Sequence, residues 1–360
     1  MTEPLFSTTA PVFKVDGEVK GELARDLLRL DVEETTDGLK TCVAHFLGVG
    51  PSSGQTEQEQ YLDGQVVDFG KALEVSLGPT GNERVIFKGA ISALEAAYEE
   101  GKPLTVIVFA EDKLMKLRMT RGTKAYEQVS DADIASSIAS KHGLTPDTAA
   151  DGPTYDRVVQ LNQSDLAFLR GRAARIQAEL WCDGDTLNFK TRGNRNATSV
   201  TLVQGNQLLT VNARADLAHQ RTKVVVSGYD ASQRAAIEQD ADVGVVQAET
   251  SGGQNGAAVL ERAFGERVSN VVRDVPLVDG EATAWAKGEL LSRARGFVTV
   301  VGTTRGTPDL EVGTNITLDR VGAPFDGDGY YATRVRHTYD QHDGHRTHFE
   351  AERATVSGGS

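Results

Sequence analysis

The sequence predicts a β-rich α+β protein in which one small β-barrel is present twice. A small α/β domain and a helix-containing connector complete the chain. Three observations predict it. Glycine is abundant, at 37 of 360 residues, and it falls between short apolar runs, as turns between strands require. Helical periodicity is confined to a few stretches in the middle and one that starts near Asp279. Two distant stretches also repeat one order of strands, turn glycines and aromatics.

The early strands are plain. Leu73, Val75 and Leu77 alternate with Glu74 and Ser76, the pattern of a half-buried strand. Gly78-Pro79-Thr80-Gly81-Asn82 is a turn, Val85-Ile86-Phe87 resumes the strand, and Gly89 interrupts it. A further strand covers Ile91 to Tyr98, Gly101-Lys102-Pro103 turns the chain, and Leu104 to Phe109 is an apolar β run. The polar stretch from Gly50 to Gln60 reads as an exposed loop.

The middle is mixed. Ser130, three residues before Asp133, opens a helix with Ile134 and Ile138 on one face and Gly143 placed to end it. Ser164 caps a second helix with Leu166, Leu169, Ala173 and Ile176 on one stripe. Asp183-Gly184 between apolar runs is a hairpin signal. Leu208 to Val226 reads as strand. Residues 231–256, ending in Ser251-Gly-Gly-Gln-Asn-Gly256, read as a polar linker or loop. Asp279 is a candidate cap for a helix carrying Ala282, Trp285, Ala286 and Leu290, closed by Arg293, Arg295 and Gly296. The remainder is β again, and Ser357-Gly-Gly-Ser360 reads as a disordered tail.

The repeat pairs Leu73–Pro79, Phe87-Lys-Gly89, Tyr98, Gly101 and Leu104-Thr-Val106 with Asn315–Arg320, Phe325-Asp-Gly327, Tyr339, Gly344 and Thr347-His-Phe349. Two copies of one barrel produce such an order. Unrelated meanders that share turn glycines are the alternative.

Charge and chemistry exclude several classes. The net charge of −13 and the absence of a Lys/Arg run argue against sequence-specific nucleic-acid binding. The N-terminus lacks the basic start and apolar stretch of a secretion signal, and no apolar run approaches a membrane span. Synthesis and assembly in the cytoplasm are therefore expected. Cys42 and Cys182 read as two lone buried thiols, with a disulfide as the alternative.

Other candidates are weaker. His337, His342, His345 and His348, with Asp340 and Asp343, could hold a metal, but the spacing matches no ligand motif, and a polar hairpin tip is the better reading. Glu33-Glu34 and Glu99-Glu100 could supply paired carboxylates for glycoside cleavage, although acidic pairs at strand ends are usually solvated. No GxSxG elbow or phosphate-binding loop is present, and Trp181 and Trp285 read as packing residues. No catalytic, cofactor-binding or metal residue is assigned, no cofactor is expected, and the interface residues are unknown from sequence.

A family resemblance rests on residues along most of the chain. Phe109-Ala-Glu-Asp112, Leu114, Leu117, Ala125-Tyr126, Ser130-Asp-Ala-Asp-Ile134, Ile138-Ala139 and His142-Gly-Leu144 resemble the phage late control protein D family. So do Gln160-Leu-Asn-Gln-Ser-Asp165, Phe168-Leu169, Trp181-Cys-Asp-Gly-Asp185, Leu187-Asn-Phe189, Gly329-Tyr-Tyr-Ala-Thr-Arg-Val-Arg-His337 and Thr347-His-Phe349. That family includes the central hubs of contractile tails and the first half of type VI valine-glycine-repeat spikes.

The resemblance implies a non-enzymatic baseplate hub: a homotrimer with two tube-type β-barrels per subunit, joining a six-fold inner tube to a three-fold spike. Partners would be the chain itself, the inner tube protein, a separate spike protein and other baseplate components, with residence in a virion or extracellular particle. The implied domains are 1–115 with 195–230 as the first barrel, 116–194 as the α/β domain, 231–256 as the linker, 257–353 as a helix plus the second barrel, and 354–360 as the tail. A cell-wall hydrolase or a host-binding component of the same particle is the alternative.

Overall fold

The computed structural model describes residues 10–50, 58–79, 81–195, 198–250, 252–272 and 276–357. Most of the loop expected over 50–60, Thr80 of the turn before residue 82 and the last three residues of the tail lie outside the described residues.

Ten strands carry the architecture. The first five are β1 (Leu27–Thr35), β2 (Thr41–Leu47), β3 (Ala72–Leu77), β4 (Arg84–Ala97) and β5 (Thr105–Glu111). They are hydrogen-bonded in the order β3-β4-β5-β2-β1, and Val12–Val15 adds to β3. The second five are β6 (Leu208–Ala215), β7 (Val298–Thr304), β8 (Asn315–Asp319), β9 (Gly327–Asp340) and β10 (Gly344–Arg353). Their order is β8-β9-β10-β7-β6, with Ser199–Val203 added to β8. The two halves therefore share one strand permutation.

The likeness extends to register. The β1–β2 ladder slips between Leu27 and Arg29, and the β6–β7 ladder slips between Leu208 and Thr210. Long strands β4 and β9 each carry an irregularity, between Ile91 and Ala93 and between Ala332 and Arg334. At the skipped residue, Ser92 Oγ donates to Phe109 O (3.4 Å) and Thr333 Oγ1 donates to Glu350 O (3.3 Å). Just before β3 and β8, Gly70 N–H donates to Ile91 O and Gly313 N–H donates to Ala332 O, both at 2.8 Å. Both glycines have positive φ, +80° and +93°, a region closed to most side chains. Bulges mark fixed positions in a ladder, so their recurrence sets the equivalences Leu27 to Leu208, Ile91 to Ala332 and Tyr98 to Tyr339.

Each barrel packs around its own apolar centre. Phe13, Leu30, Val32, Phe46, Val75, Val106 and Val108 fill the first, and Leu208, Val300, Ile316, Leu318, Val335 and Phe349 fill the second. Burying each such side chain contributes about 1.5–3 kcal/mol. The barrels are joined edge to edge: β1 pairs antiparallel with the second half of β9, from Arg334 opposite Thr35 to Asp340 opposite Arg29.

Between them sits the α/β unit. Its first helix, α1 (Asp131–Lys141), begins with a capping box. The Ser130 hydroxyl accepts from Asp133 N–H, and the Asp133 carboxylate accepts from Ser130 N–H. The second, α2 (Asp165–Ile176), is capped by Ser164 and ends at Gln177 in the left-handed region. Ala178–Asp183 and Thr186–Thr191 form the hairpin at Asp183-Gly184, and Thr145–Ala149 joins it in parallel. Ile134, Ile138, Leu166, Leu169 and Phe189 form its core.

Several expectations are corrected. Residues 195–230 do not complete the first barrel: Ser199–Val203 and β6 pair with β8 and β7 of the second. Alternation shows that a segment is a strand but not which edge it joins. Residues 231–256 are no linker. Ala235–Asp242 forms a hairpin with Lys223–Asp230, followed by a short helix at Val243–Gln247. The segment reads as polar because few of its residues, among them Ile237, Ala241 and Val246, face the core under α3 (Asp279–Arg295).

Smaller corrections concern single residues. Asp279 is the first helical residue, and Val278 occupies the cap position. Thr355–Val356 of the expected tail pairs with Gln254–Asn255. Gly89 does not interrupt β4: it lets the strand cross Glu111, whose carbonyl oxygen would lie 2.2 Å from a Cβ at that position. The Phe-x-Gly match is also misplaced, because Gly89 lies inside β4 while Gly327 opens β9.

Candidate functional site

The barrel–barrel joint is the most constrained polar region of the chain. On β1, alternate residues Leu30, Val32 and Glu34 are buried, while Asp31 and Glu33 face outward. The outward pair meets β9. Arg336 Nε donates to Asp31 Oδ1 at 2.8 Å, and Arg334 binds Glu33 (2.9 Å) and Glu350 (3.0 Å). Arg29 also holds Asp31, at 2.6 Å.

The inward residue begins a network linking three structural units. Glu34 Oε2 is 2.6 Å from Lys40 Nζ, and its Oε1 is 3.0 Å from Arg195 Nη2. Arg195 Nη1 reaches Glu179 Oε2 at 3.1 Å, and the same oxygen accepts from Tyr331 OH at 2.6 Å. Arg192 binds Glu352 at 2.5 Å and lies 3.9 Å from the Tyr331 ring centroid. Arg195 stacks on Trp181 at 4.2 Å. Burial alone would raise the Glu34 carboxyl, but the charges and hydrogen bonds of Lys40 and Arg195 outweigh it and hold Glu34 below its usual range. Burial, with Glu179 beside it, pushes the Tyr331 phenol well up, so it donates as a neutral hydroxyl.

The sequence-predicted candidates fall in different places. Glu33 and Glu34 sit on opposite faces of β1, each ion-paired, so they do not form a catalytic pair. Glu99 is exposed and bound to Lys102 at 2.5 Å, and Glu100 is exposed. The histidines divide. His342 is exposed in the turn, whereas His337 is buried, its Nδ1 3.2 Å from His345 Nε2 and 3.1 Å from Thr347 Oγ1. His348 contacts Thr303 and Thr338. Burial holds His337 well below the ordinary imidazole range and brings His345 to about 4, so both are neutral at pH 7. Among the described residues no group of three or more His, Cys, Asp or Glu is arranged to hold a metal.

Cys42 is buried and unpaired. Cys182 is half-buried and unpaired, more open than the sequence reading placed it, and its thiol is pushed up to about 12 by burial. A cleft of about 140 Å³ between Asp37, Arg170, Gln177 and Arg295 is smaller than the ~300 Å³ at which small-molecule sites begin. No helix among the described residues is long and apolar enough to cross a membrane. Sequence reasoning missed Lys40, Glu179, Arg192, Arg195 and Tyr331. The cluster Arg192-Gly-Asn-Arg195 after a strand was its one visible trace.

Against known proteins, the fold of the chain is that of phage tail proteins. It superposes on the prophage MuSo2 43 kDa tail protein from Shewanella oneidensis with a TM-score of 0.70 at 12% identity, covering 96% of this chain and 98% of that one. The tail protein from Neisseria meningitidis MC58 matches at 0.65 and 12% identity, covering 96% of each chain. The E. coli c3393 protein, a type VI secretion component similar to the bacteriophage tail proteins gp27 and gp5, matches at 0.57 and 12%, covering 97% of this chain and 79% of that one. No curated protein matches. The chain belongs to the family described as the Alg8 N-terminal domain, whose model matches residues 30–341.

Proposed function

We propose that this chain is a non-enzymatic central hub of a phage-tail or contractile injection baseplate. It works as a homotrimer that adapts a six-fold inner tube to a three-fold spike. The observation that carries this reading is the duplication: one chain holds two barrels with the same strand order and bulges, so three chains present six like surfaces. A ring of six barrels meets a six-fold tube on one side, while its true symmetry of three meets a spike on the other.

The fold's likeness to tail proteins from two bacteria and to a type VI secretion component supports the baseplate setting. The joint network supports a permanent scaffold, because Glu34, Arg195 and Glu179 are buried against one another and breaking such a pair is costly. The proposed partners are an inner tube protein, a spike and neighbouring baseplate proteins. The net charge of −13 supports a channel that repels anionic cargo instead of retaining it. Native mass spectrometry of the purified chain tests this: a homotrimer has three times the mass of the 38.6 kDa protomer. Clearing of peptidoglycan by the chain, abolished by a single Glu substitution, would favour the hydrolase instead.

A further inference from the structure

The ribbon of Arg121–Val129 and Tyr155–Ser164 in the α/β unit has one finished face and one bare one. Its strands pair antiparallel, and among the described residues no third strand joins them. Tyr126, Tyr155 and Val158 are buried in the core of the unit, on the side where α1 and α2 pack. The residues between them point the other way. There Val159 stands opposite Ala125, and Arg157 opposite Glu127. Val159 is 48% exposed and Leu161 is 69% exposed. Met119, two residues before the ribbon, is 65% exposed.

A bulge holds Leu161 outward. Gly122 pairs with Gln163 and Lys124 with Gln160, so Thr123 faces both Leu161 and Asn162. Asn162 takes a positive φ of +46°, and its N–H donates to Thr123 Oγ1 at 3.2 Å. Bulges re-aim side chains at defined positions, and this one keeps an apolar side chain in water.

The rim of this face is cationic. From Lys113 to Lys124 there are five Lys or Arg and no Asp or Glu, in a chain whose net charge is −13. Lys113 and Arg118 are held by Asp185 and Glu111. Arg121 gives a hydrogen bond to the Asn162 carbonyl (3.4 Å), and exposed Lys116 stands one helical turn from Met119. Arg157 adds a cation at the far end of the ribbon.

We propose that this face docks an acidic amphipathic helix of another baseplate protein. The helix sets its apolar stripe on Met119, Val159 and Leu161 and its flanking carboxylates against Lys116, Arg121 and Arg157. The inference names one class of partner for the hub and rests on that reading. An apolar centre inside a charged rim is the anatomy of a protein interface. Two strands about 4.8 Å apart present a face about as wide as one helix of ~10 Å diameter, so a single helix covers it. A nucleic-acid phosphate would use the cations but leave the three apolar side chains in water, and the acidic chain repels it.

The test uses the purified full chain and a fluorescein-labelled synthetic helix of about 18 residues, long enough to keep its fold. The peptide carries Leu at i, i+4, i+7 and i+11 and Glu on both flanks. Fluorescence anisotropy should show saturable binding that weakens as salt is added. Leu161→Asp and Arg121→Glu should each weaken it at least about tenfold, whereas Arg214→Glu, on the second barrel, should leave it unchanged. A scrambled peptide of the same composition should bind at least about tenfold more weakly. Both positions are exposed, so the variants should melt with the parent chain. Equal binding of the scrambled peptide, or binding indifferent to Leu161→Asp, would overturn the docking face. So would preference for phosphatidylserine vesicles, or a native mass that Leu161→Asp lowers, since the face would then belong to a lipid surface or a second copy. A trimer that ignores the peptide would overturn the docking and leave the hub reading standing. A monomer that binds it would uphold the docking face and overturn the trimer.

Discussion

Arg195 and Glu34 meet 3.0 Å apart with both side chains more than nine-tenths buried, and they come from different structural units. Glu34 belongs to β1 of the first barrel, while Arg195 leaves the α/β unit on its way to the second. The pair fixes how the barrels are set relative to each other. Removing one member of a buried pair leaves an uncompensated charge, which typically costs about 3–5 kcal/mol. Arg195→Met should therefore lower unfolding stability by about that amount in guanidinium titrations, and the joint Arg195→Met/Glu34→Gln change should cost less than the single one. An unchanged midpoint for the single variant would show that the network does not hold the joint.

Gly38 and Gly101 separate backbone strain from steric exclusion. Both have positive φ, +69° and +75°, but a Cβ on Gly38 would lie 2.2 Å from Leu180 O, whereas a Cβ on Gly101 meets nothing within 4 Å. Gly101→Ala should cost about 1–2 kcal/mol from backbone conformation alone. Gly38→Ala should cost clearly more, because β1's exit must move off the α/β unit. Equal losses in thermal melts would contradict this.

The capping box of α1 gives a smaller, local prediction. Ser130→Ala removes the acceptor for Asp133 N–H, so it should cost about 1 kcal/mol without changing oligomeric state. Chemical unfolding together with size-exclusion chromatography checks both parts.

The neutral histidines set an acid dependence. His337 and His345 titrate below the ordinary imidazole value when folded, so as pH falls the unfolded chain takes up protons first. Their stability contribution is intact above about pH 6.5 and is lost progressively down to about pH 4, where folded His345 also protonates. Each unmatched proton is worth about 1.4 kcal/mol per pH unit. Melting temperature should therefore fall between pH 6.5 and 4.5, and His345→Gln should flatten that fall. An identical slope in the variant would place the acid sensitivity elsewhere.

Local features of the fold were legible where the chemistry is local. Ser130 with Asp133, Ser164 and Asp183-Gly184 carry their own turn and cap geometry, and the structure places each as read. Pairing partners were not legible. β6 reads as a half-buried strand with no mark that it joins β7, and Ala235–Asp242 hides its two inward residues among polar ones. The duplication showed through the late tyrosines Tyr98 and Tyr339, but the Phe-x-Gly match misaligned it. The true equivalence lies in the bulges and in the Leu-Leu starts of β1 and β6, which a turn-based comparison passes over. The joint network was the least visible part, because Glu34, Glu179 and Arg195 converge only after the three units pack.

In the proposed hub, a threefold set of these chains imitates sixfold order. End-on averages of the purified assembly by cryo-electron microscopy test it most directly. The proposed trimer should show six lobes of similar size around one channel, as three pairs related by threefold symmetry. A ring with another number of lobes, or barrels that do not enclose a channel, would contradict it.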